Sequence, residues 1–240
     1  MISKVKNDLF DYKNRYIMQM KDGFKFSLDS LLLAEFVNIK KDDKKILDMC
    51  TGNAPVPLVL SLKSDAEIIG FEIQKEISEL ALESVAINGL EKNIRIINDD
   101  IKNIDNYFES NTFDIITCNP PYFKTKENGY RNKNDFLSLA RHEIAINLET
   151  IFKIASKYLK SNKAFYLVHR VERLDDIIVL ARENKMNVKE LQFISTKKEK
   201  AANTILVKCV KNGKPGIKLR KEICVDNLDT YQHLFEREVF

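Results

Sequence analysis

The chain has 240 residues, of which 44% are hydrophobic and 31% are charged, and its net charge is +4. This length and apolar content suffice for one large α/β domain with a buried core. No window approaches the roughly 18 consecutive apolar residues that a membrane span needs. Residues 1–10 also lack the apolar segment of a secretory leader. We therefore expect a cytoplasmic protein.

The cysteines and histidines do not form a metal-ligand pattern. The four cysteines are scattered at Cys50, Cys118, Cys209 and Cys224, with no Cys-x-x-Cys pair, and the three histidines have no ligand spacing. We interpret the cysteines as reduced, small apolar side chains and predict no metal site.

Residues 1–40 precede the repeating part of the sequence. Gly23 and the run from Phe26 to Ala34 predict a turn followed by a helix that begins near Ser27 or Asp29. We expect this N-terminal extension to pack on a cofactor site formed by the rest of the chain.

From residue 41 onward, short β-branched runs alternate with longer helical patterns. The predicted strands are Lys45–Met49, Ile68–Glu72, Ile94–Asn98, Phe113–Cys118, Ala164–His169, Glu190–Ser195 and Thr204–Val210. The predicted helices between them are Val56–Lys63, Lys75–Asn88, Leu148–Leu159 and Arg173–Asn184. Such alternation indicates right-handed crossovers and a mainly parallel sheet.

The last two predicted strands are too close together for a helical crossover, so the final strand should run antiparallel to its neighbour. The predicted fold is therefore α/β and Rossmann-like, with a seven-stranded, mostly parallel sheet, the last strand antiparallel, and helices on both faces. This layout resembles that of class I methyltransferases. The turn at 212–216 ends the predicted domain, residues 41–216, and leaves 217–240 as a polar C-terminal tail.

Three of the predicted strands end in acidic residues, where an open parallel sheet binds its ligands. Asp48 precedes a turn of small residues, Glu72 is placed to accept both ribose hydroxyls, and an Asp in the run Asn98–Ile101 can accept a hydrogen bond from an adenine amine. The turn has Cys50 and Ala54 where methyltransferase loops typically have glycine, so a positive φ there should be costly. The rival interpretation, nicotinamide binding by an oxidoreductase, lacks its Gly-x-Gly-x-x-Gly fingerprint.

The tetrapeptide Asn119-Pro120-Pro121-Tyr122 follows the fourth predicted strand directly. The Asn119 side-chain oxygen and the Pro120 carbonyl can each accept one N–H of an amine, which orients its lone pair toward a methyl donor. Tyr122 can stack on a planar substrate, which contributes roughly 1–3 kcal/mol for a nucleic-acid base. The motif predicts amine methylation by positioning and electrostatics.

Basic residues are concentrated near the C-terminal end. Residues 195–221 hold nine lysines or arginines against one acid, Glu199, whereas the rest of the chain is mildly acidic. The loop from Phe123 to Arg141 is also basic and has little periodicity, which is typical of a functional loop. These features predict a polyanionic partner, and a solvated lysine-rich surface is the alternative.

The chain resembles the bacterial tRNA(Val) adenosine-37 N(6)-methyltransferases. The stretches that carry the resemblance are Phe26–Ala34, Asp48–Pro57, Asn119–Tyr122, Ala140–Glu143, His169–Leu174 and Lys197–Gly216. Cys50 and Ala54 depart from the family's glycines, and Val171 stands where the family often has proline.

This resemblance implies a class I fold, S-adenosyl-L-methionine as the cofactor, S-adenosylhomocysteine as the product and tRNA as the partner. The implied catalytic residues are Asn119, Pro120 and Tyr122. The implied cofactor-binding residues are Asp29, Asp48, Cys50, Gly52, Asn53, Glu72, Asp100, Ile101 and Asn119. The candidate RNA-binding residues are Lys124, Lys126, Arg131, Lys133, Arg141, Arg170, Lys197, Lys198 and Lys200.

Two other functions stay open at this point. One is methylation of another amine, in ribosomal RNA, DNA or a protein glutamine, because similar tetrapeptides occur in such enzymes. The other is a non-catalytic RNA-binding module, which would be expected to have lost Asn119 or Tyr122. No membrane contact and no obligate protein partner are expected.

Overall fold

The computed structural model describes residues 3–10, 12, 14–21, 27–121 and 146–226. In chain order the elements are β1 Lys4–Asp8, β2 Tyr16–Met20, α1 Leu28–Phe36, β3 Lys45–Met49, α2 Pro55–Leu60, β4 Glu67–Phe71, α3 Lys75–Ile87, β5 Ile94–Ile97, β6 Phe113–Cys118, α4 Leu148–Tyr158, β7 Leu159–Arg170, α5 Leu174–Glu183, β8 Met186–Ser195, β9 Thr204–Lys211, β10 Lys218–Leu219 and β11 Ile223–Cys224. Short 3-10 helices cover Ile101–Asn106 and Val171–Arg173.

The main sheet has the strand order β10-β8-β9-β7-β6-β3-β4-β5, and β11 also pairs with β8. The β3, β4, β5, β6 and β7 strands are parallel, whereas β9 is antiparallel to both β7 and β8. The seven predicted strands are all present, and the predicted reversal of the last of them is confirmed. The cause is the short connection between Ser195 and Thr204, which leaves no room for a helix.

Helices cover both faces of this sheet, as predicted. One hydrophobic cluster contains α4 and α5 residues such as Phe152 and Ile177, packed against β6 and β7. The other contains α1 and α2 residues such as Leu32 and Val59. Because side chains alternate along a strand, Ile116 faces the first cluster and Ile115 the second. Within the described ranges, no helix has the length and apolar character that crossing a membrane requires.

The antiparallel hairpin of β1 and β2 was not predicted. It packs on α3, where the Met18 amide donates to the Ser84 hydroxyl at 2.9 Å and the Asn88 side-chain amide donates to the Tyr16 carbonyl at 2.7 Å. Strand β1 has no buried residue, so its sequence lacks the apolar alternation by which strands are recognised.

Two short strands continue the sheet beyond residue 216, where the sequence places the start of the tail. Lys218 pairs with Glu190 and Ile223 pairs with Ile194, both in parallel register. The Arg220 guanidinium lies 4.3 Å from the centre of the Phe36 ring. Strands of two residues are too short to show a period in the sequence, which is why they were missed.

Candidate active site

The predicted site residues lie along one edge of the sheet, where parallel strands β3 to β7 have their carboxyl ends. Ligands of open α/β sheets bind at this edge. Strand β8 also ends here, because it is antiparallel to β9, which is antiparallel to β7. Asp48, Glu72, Asp100, Asn119 and Arg170 all lie at or just beyond these strand ends.

The turn after β3 has three residues in the left-handed region: Cys50 at φ 59°, Gly52 at 58° and Ala54 at 72°. The sequence predicted that Cys50 and Ala54 would oppose this geometry, yet the loop keeps it. Hydrogen bonds fix the backbone, because the Thr51 amide donates to the Phe71 carbonyl at 2.8 Å and the Ala54 amide to the Thr51 carbonyl at 3.0 Å. The strain at two non-glycine residues is therefore held by contacts with β4 and within the turn.

Asp48 is the most deeply buried acid of the site, with 1% of its surface exposed. Its two carboxylate oxygens accept hydrogen bonds from the Thr117 hydroxyl at 2.6 Å and the Thr51 hydroxyl at 2.7 Å. Burial raises the pKa of Asp48 to about 7, although both threonine hydrogen bonds oppose this, and the negative charge of Glu72 adds to the increase. Near neutral pH the carboxyl group therefore takes up or loses a proton readily, and a nearby cation would favour its ionised form.

Hydrogen bonds of Glu72, which follows β4, connect it to the segments after β3 and β5. Its carboxylate accepts hydrogen bonds from the backbone amides of Gly52 at 3.0 Å and Gln74 at 2.9 Å. Its own carbonyl accepts from the Asn98 side-chain amide at 2.8 Å. These contacts bring Gly52, Glu72 and the end of β5 together, as their positions at neighbouring strand ends predicted.

Asp99 and Asp100, which follow β5, accept hydrogen bonds from residues of their own segment. Asp100 caps the 3-10 helix by accepting from the Lys102 amide at 3.0 Å, and Ile101 beside it is buried. Asp99 accepts from the Asn103 side chain and the Tyr107 hydroxyl, and the Asn103 hydrogen bond is the main reason that the pKa of Asp99 is lowered. The assignment of Asp100 to an adenine amine stays a prediction.

Asn119 lies half-buried directly after β6, and its side-chain amide donates to the Ser30 hydroxyl of α1 at 2.8 Å. Pro120 is buried and Pro121 is exposed. Strand β6 thus places the start of the tetrapeptide at the same edge of the sheet. Tyr122 lies outside the described residues.

Asp29 and Arg170 approach each other at the same edge. Burial raises the pKa of Asp29, and the positive charge of Arg170 opposes that increase. The Arg170 guanidinium also donates to the Thr204 hydroxyl at 3.0 Å. A residue predicted to bind the cofactor and one predicted to bind RNA therefore belong to one charged group near Asn119.

Asn53, predicted to bind the cofactor, is fully buried. Its side-chain amide donates to the Met18 carbonyl at 2.8 Å, so it attaches the loop after β3 to the N-terminal hairpin. The sequence gave no indication of this contact because the hairpin itself was not predicted.

The basic segment 195–221 does not form one surface. Lys197, Lys198 and Lys200 are exposed in the turn that follows β8, at the site edge. In contrast, Lys208 and Arg220 both pair with Glu190, at 2.7 and 2.6 Å. Lys214 lies beyond the end of β9, at the opposite edge. The first three lysines are therefore the members of the segment placed to meet a ligand at the site.

The remaining candidates fall outside the described residues. They are Tyr122, Lys124, Lys126, Arg131, Lys133 and Arg141, so their predicted roles are untested. Across the parts of the chain that the structure describes, no group of three or more His, Cys, Asp or Glu side chains is arranged to hold a metal ion.

Three contributors were missed from the sequence: Ser30, Thr51 and Thr117. Each supplies a hydroxyl to a predicted site residue, Ser30 to Asn119 and the two threonines to Asp48. Thr117 lies on β6, two residues before Asn119, and this spacing was the one available signal that the two side chains share a face.

Comparison with known proteins gives a consistent result. The family model described as "Methyltransferase domain" matches residues 40–224. A protein from Tolumonas auensis named tRNA1(Val) (adenine(37)-N6)-methyltransferase is 26% identical over 222 residues, which cover 92% of this chain and 90% of that protein. A protein of the same name from Bacteroides thetaiotaomicron is 28% identical over 180 residues, covering 74% and 73%.

Solved structures share the fold. A putative class I S-adenosylmethionine-dependent methyltransferase from Listeria monocytogenes superimposes with a TM-score of 0.60 at 14% identity, covering 90% of this chain and 74% of its own. At that identity the likeness concerns the architecture alone. It agrees with the predicted Rossmann-like α/β fold.

Proposed function

This chain belongs to the methyltransferase-domain family, and from that premise we propose that it methylates N6 of adenosine 37 in a tRNA. The proposed cofactor is S-adenosyl-L-methionine, and the tRNA named for its relatives is tRNA1(Val). The observation that carries the proposal is the position of Asn119. It is held at the end of β6, at the same edge of the sheet as Asp48 and Glu72.

The residues at this edge of the sheet fit the proposed cofactor. The left-handed turn from Cys50 to Ala54 lets backbone approach a ligand closely. Asp48, whose pKa is about 7, is suited to a cationic amino group, because a positive charge would stabilise its ionised form. Glu72 offers two carboxylate oxygens at the next strand end. When bound, S-adenosyl-L-methionine supplies an electrophilic methyl group.

The chain's own contribution to the reaction is to position the amine. The Asn119 carbonyl oxygen and the Pro120 carbonyl are the proposed acceptors for the two N–H groups of the adenine amine. Proline has no N–H and a fixed φ, so its carbonyl has a restricted direction. Orientation of this kind can supply much of the rate enhancement without a base of unusual pKa. Tyr122 is proposed to stack on the base.

Substrate recognition is proposed to involve the site-edge lysines Lys197, Lys198 and Lys200, together with Arg170. Lysines that contact phosphates release counterions, so binding should weaken as salt is added. An anticodon-loop base is accessible to such a site because RNA recognition targets single-stranded loops whose bases can be splayed out. Arg170 lies at the end of β7, next to the strand that carries Asn119.

The reaction is tested by methylating unmodified tRNA with isotopically labelled cofactor and then mapping the modified nucleoside. We expect N6-methyladenosine at position 37. Asn119→Ala should abolish transfer while cofactor affinity changes little. The matched control is Asn187→Ala, which removes one amide–carbonyl hydrogen bond, to Gly213, far from the site edge. Methylation at another position or on another amine would contradict the proposal, as would an active Asn119→Ala variant.

The RNA surface is tested by a pair of triple variants with the same change in net charge. In one, Lys197, Lys198 and Lys200 become Glu. In the control, the exposed lysines Lys41, Lys92 and Lys214, which lie toward the other edge of the sheet, become Glu. The first variant should raise the KM for tRNA and reduce its salt dependence, with the slope falling by roughly 0.7–0.9 per lost phosphate contact. Equal effects in the two variants would show that only net charge matters.

A further inference from the structure

Helix α1 places a serine against the proposed catalytic asparagine. Ser30 lies in the first turn of α1 and has 6% of its surface exposed. Its hydroxyl oxygen is 2.8 Å from the side-chain nitrogen of Asn119, and the two residues are 89 positions apart in the sequence. Ser30 belongs to the part of the chain that precedes the family match at residues 40–224.

The other end of α1 is fixed in place, so the serine is a stationary partner. The Lys63 ammonium donates to the carbonyls of Ala34 at 2.8 Å and Val37 at 2.9 Å, at the C-terminal end of the helix. The Tyr12 hydroxyl donates to Glu35 at 2.6 Å. A cation at this end also interacts favourably with the helix dipole.

The flank of α1 is buried as well. Leu31, Leu32, Leu33 and Phe36 are all at most 2% exposed and belong to the cluster that packs on the sheet. Movement of Ser30 away from Asn119 would therefore require α1 to leave its packed position, which close-packed interiors resist.

The contact anchors the Asn119 amide against α1 by its NH₂ group. The terminal torsion of asparagine is broad and roughly two-fold, so an amide without such a contact can exchange its oxygen and nitrogen positions. In the structure the Ser30 hydroxyl accepts from the NH₂ group, and this leaves the carbonyl oxygen directed away from the helix. A hydroxyl can also donate, so the serine anchors the amide and the N–H donors of the substrate amine select this of its two orientations. A reversed amide would present donors to the substrate amine, which itself brings donors.

We propose that Ser30 is a positioning residue: it orients the Asn119 amide so that its carbonyl oxygen accepts an N–H of the substrate amine. This rests on the proposed function, because the role requires an amine substrate at Asn119. Ser30 touches no reacting atom in this scheme and acts through Asn119.

The kinetic test compares Ser30→Ala with Ser27→Ala. Alanine is a good helix former, so the first variant should keep its fold, and a thermal melt checks this. Ser27, at the helix start, is exposed and makes no side-chain cap hydrogen bond. Ser30→Ala should lower kcat by roughly 10- to 100-fold, since a misoriented group costs on that order. Its KM for tRNA and its cofactor Kd should stay within about twofold, and Ser27→Ala should match the wild type.

Two further variants separate positioning from packing. Ser30→Thr keeps the hydroxyl and should recover most of the kcat lost in Ser30→Ala. Combining Ser30→Ala with Asn119→Ala should add no loss beyond that of Asn119→Ala alone, because the serine acts through that amide. An unchanged kcat in Ser30→Ala, or equal additional loss in the double variant, would overturn the proposal.

A spectroscopic measurement keeps the inference separate from the proposed function. The Asn119 side-chain NH₂ signals, assigned by their loss in Asn119→Ala, should shift and exchange faster with water in Ser30→Ala but not in Ser27→Ala. Unmoved signals would overturn the contact whatever the substrate is. A wild type that methylates no tRNA would instead refute the proposed function, while these signals still decide whether Ser30 holds the amide.

Discussion

Replacing Asp48 with Asn should stabilise the ligand-free protein and weaken its hold on the cofactor. Asp48 is 1% exposed, and burial is the main cause of its raised pKa of about 7. Asparagine has nearly the same shape, and either threonine hydroxyl that now donates to the carboxylate can turn to accept from its NH₂ group. The substitution thus removes a buried charge without creating a cavity.

The size of the effect follows from the two pKa values. In the unfolded chain the Asp48 pKa is near 3.8, and in the folded chain it is about 7. Below about pH 4 both states are protonated and folding is not penalised. Between about pH 4 and 7 only the unfolded state ionises, so stability falls as pH rises. Above that range the loss of folding stability is complete. A pKa shift from 3.8 to about 7, at roughly 1.4 kcal/mol for each pH unit, gives a loss of about 4 kcal/mol.

The assay is thermal unfolding of both proteins at several pH values between about 5 and 8. The stability of the wild type relative to Asp48→Asn should fall as pH rises through this range, because the difference cancels groups common to both proteins, such as His169, whose titration acts in the opposite direction. At about pH 8 the variant should be the more stable protein by at least about 1 kcal/mol, which is about 2–4 °C in Tm for a chain of this size. Added S-adenosyl-L-methionine should then raise the Tm of the wild type more than that of the variant.

Asp114→Asn is the matched control. Asp114 is similarly buried at 3% exposure, but it accepts from the Lys44 and Lys45 amides and pairs with Lys160, and these contacts hold its pKa below the ordinary value. Its replacement should destabilise the protein at about pH 8. The reasoning about Asp48 fails if Asp48→Asn is also less stable there, or if its pH profile parallels that of the wild type.

Two other substitutions and one titration also have expected outcomes. Lys63→Met should lower the free energy of unfolding by about 1–3 kcal/mol, because it leaves the carbonyls at the end of α1 without their donor. The control Lys153→Met, at an exposed ion pair, should lower it by less than about 0.5 kcal/mol. Equal losses would contradict the role of Lys63. Gly70→Ala should lower both stability and cofactor affinity, since the added carbon would lie 2.8 Å from the Thr51 hydroxyl oxygen, and calorimetry showing unchanged affinity would refute this. The His169 pKa is lowered to about 4, mainly by burial, so the contribution of His169 to stability should fall as pH drops from about 6.5 toward 4. An NMR titration midpoint above 6 would be inconsistent with this.

The sequence predicted the sheet well because its strands are short, apolar and separated by clear helical patterns. Phe113–Cys118 and Lys45–Met49 were predicted to the residue, and the strand after Asn203 was expected to be reversed. These elements are buried on both faces, and such strands stand out as apolar runs.

The N-terminal hairpin and the edge strands β10 and β11 escaped prediction for the opposite reason. They are partly or fully exposed. Backbone pairing and side-chain contacts with distant residues fix them, such as Met18 with Ser84 and Lys218 with Glu190. No local pattern in the sequence identifies a partner that lies tens of residues away.

For the candidate site, the strand-end rule brought the acids to one edge but could not reveal how each is held. The raised pKa of Asp48 is caused mainly by burial, and a hydrogen bond from Thr117, a residue of another strand, opposes it. The left-handed turn at Cys50 and Ala54 also contradicts local preference, and backbone hydrogen bonds to β4 and within the turn maintain it. The division of the basic segment between two edges follows from strand direction, which composition does not contain.

The contact between Ser30 and Asn119 also bears on when the protein becomes active during folding. Helix α1 is made early in synthesis and β6 much later, and they are joined across 89 residues. Contacts of such long sequence separation require costly loop closure, so they are expected to form late. A chain that has formed β3, α2 and β4 has the loop after β3 and Glu72 of the proposed cofactor site in place. Such a chain still lacks an oriented Asn119. Cofactor binding would then precede catalytic competence along the folding route.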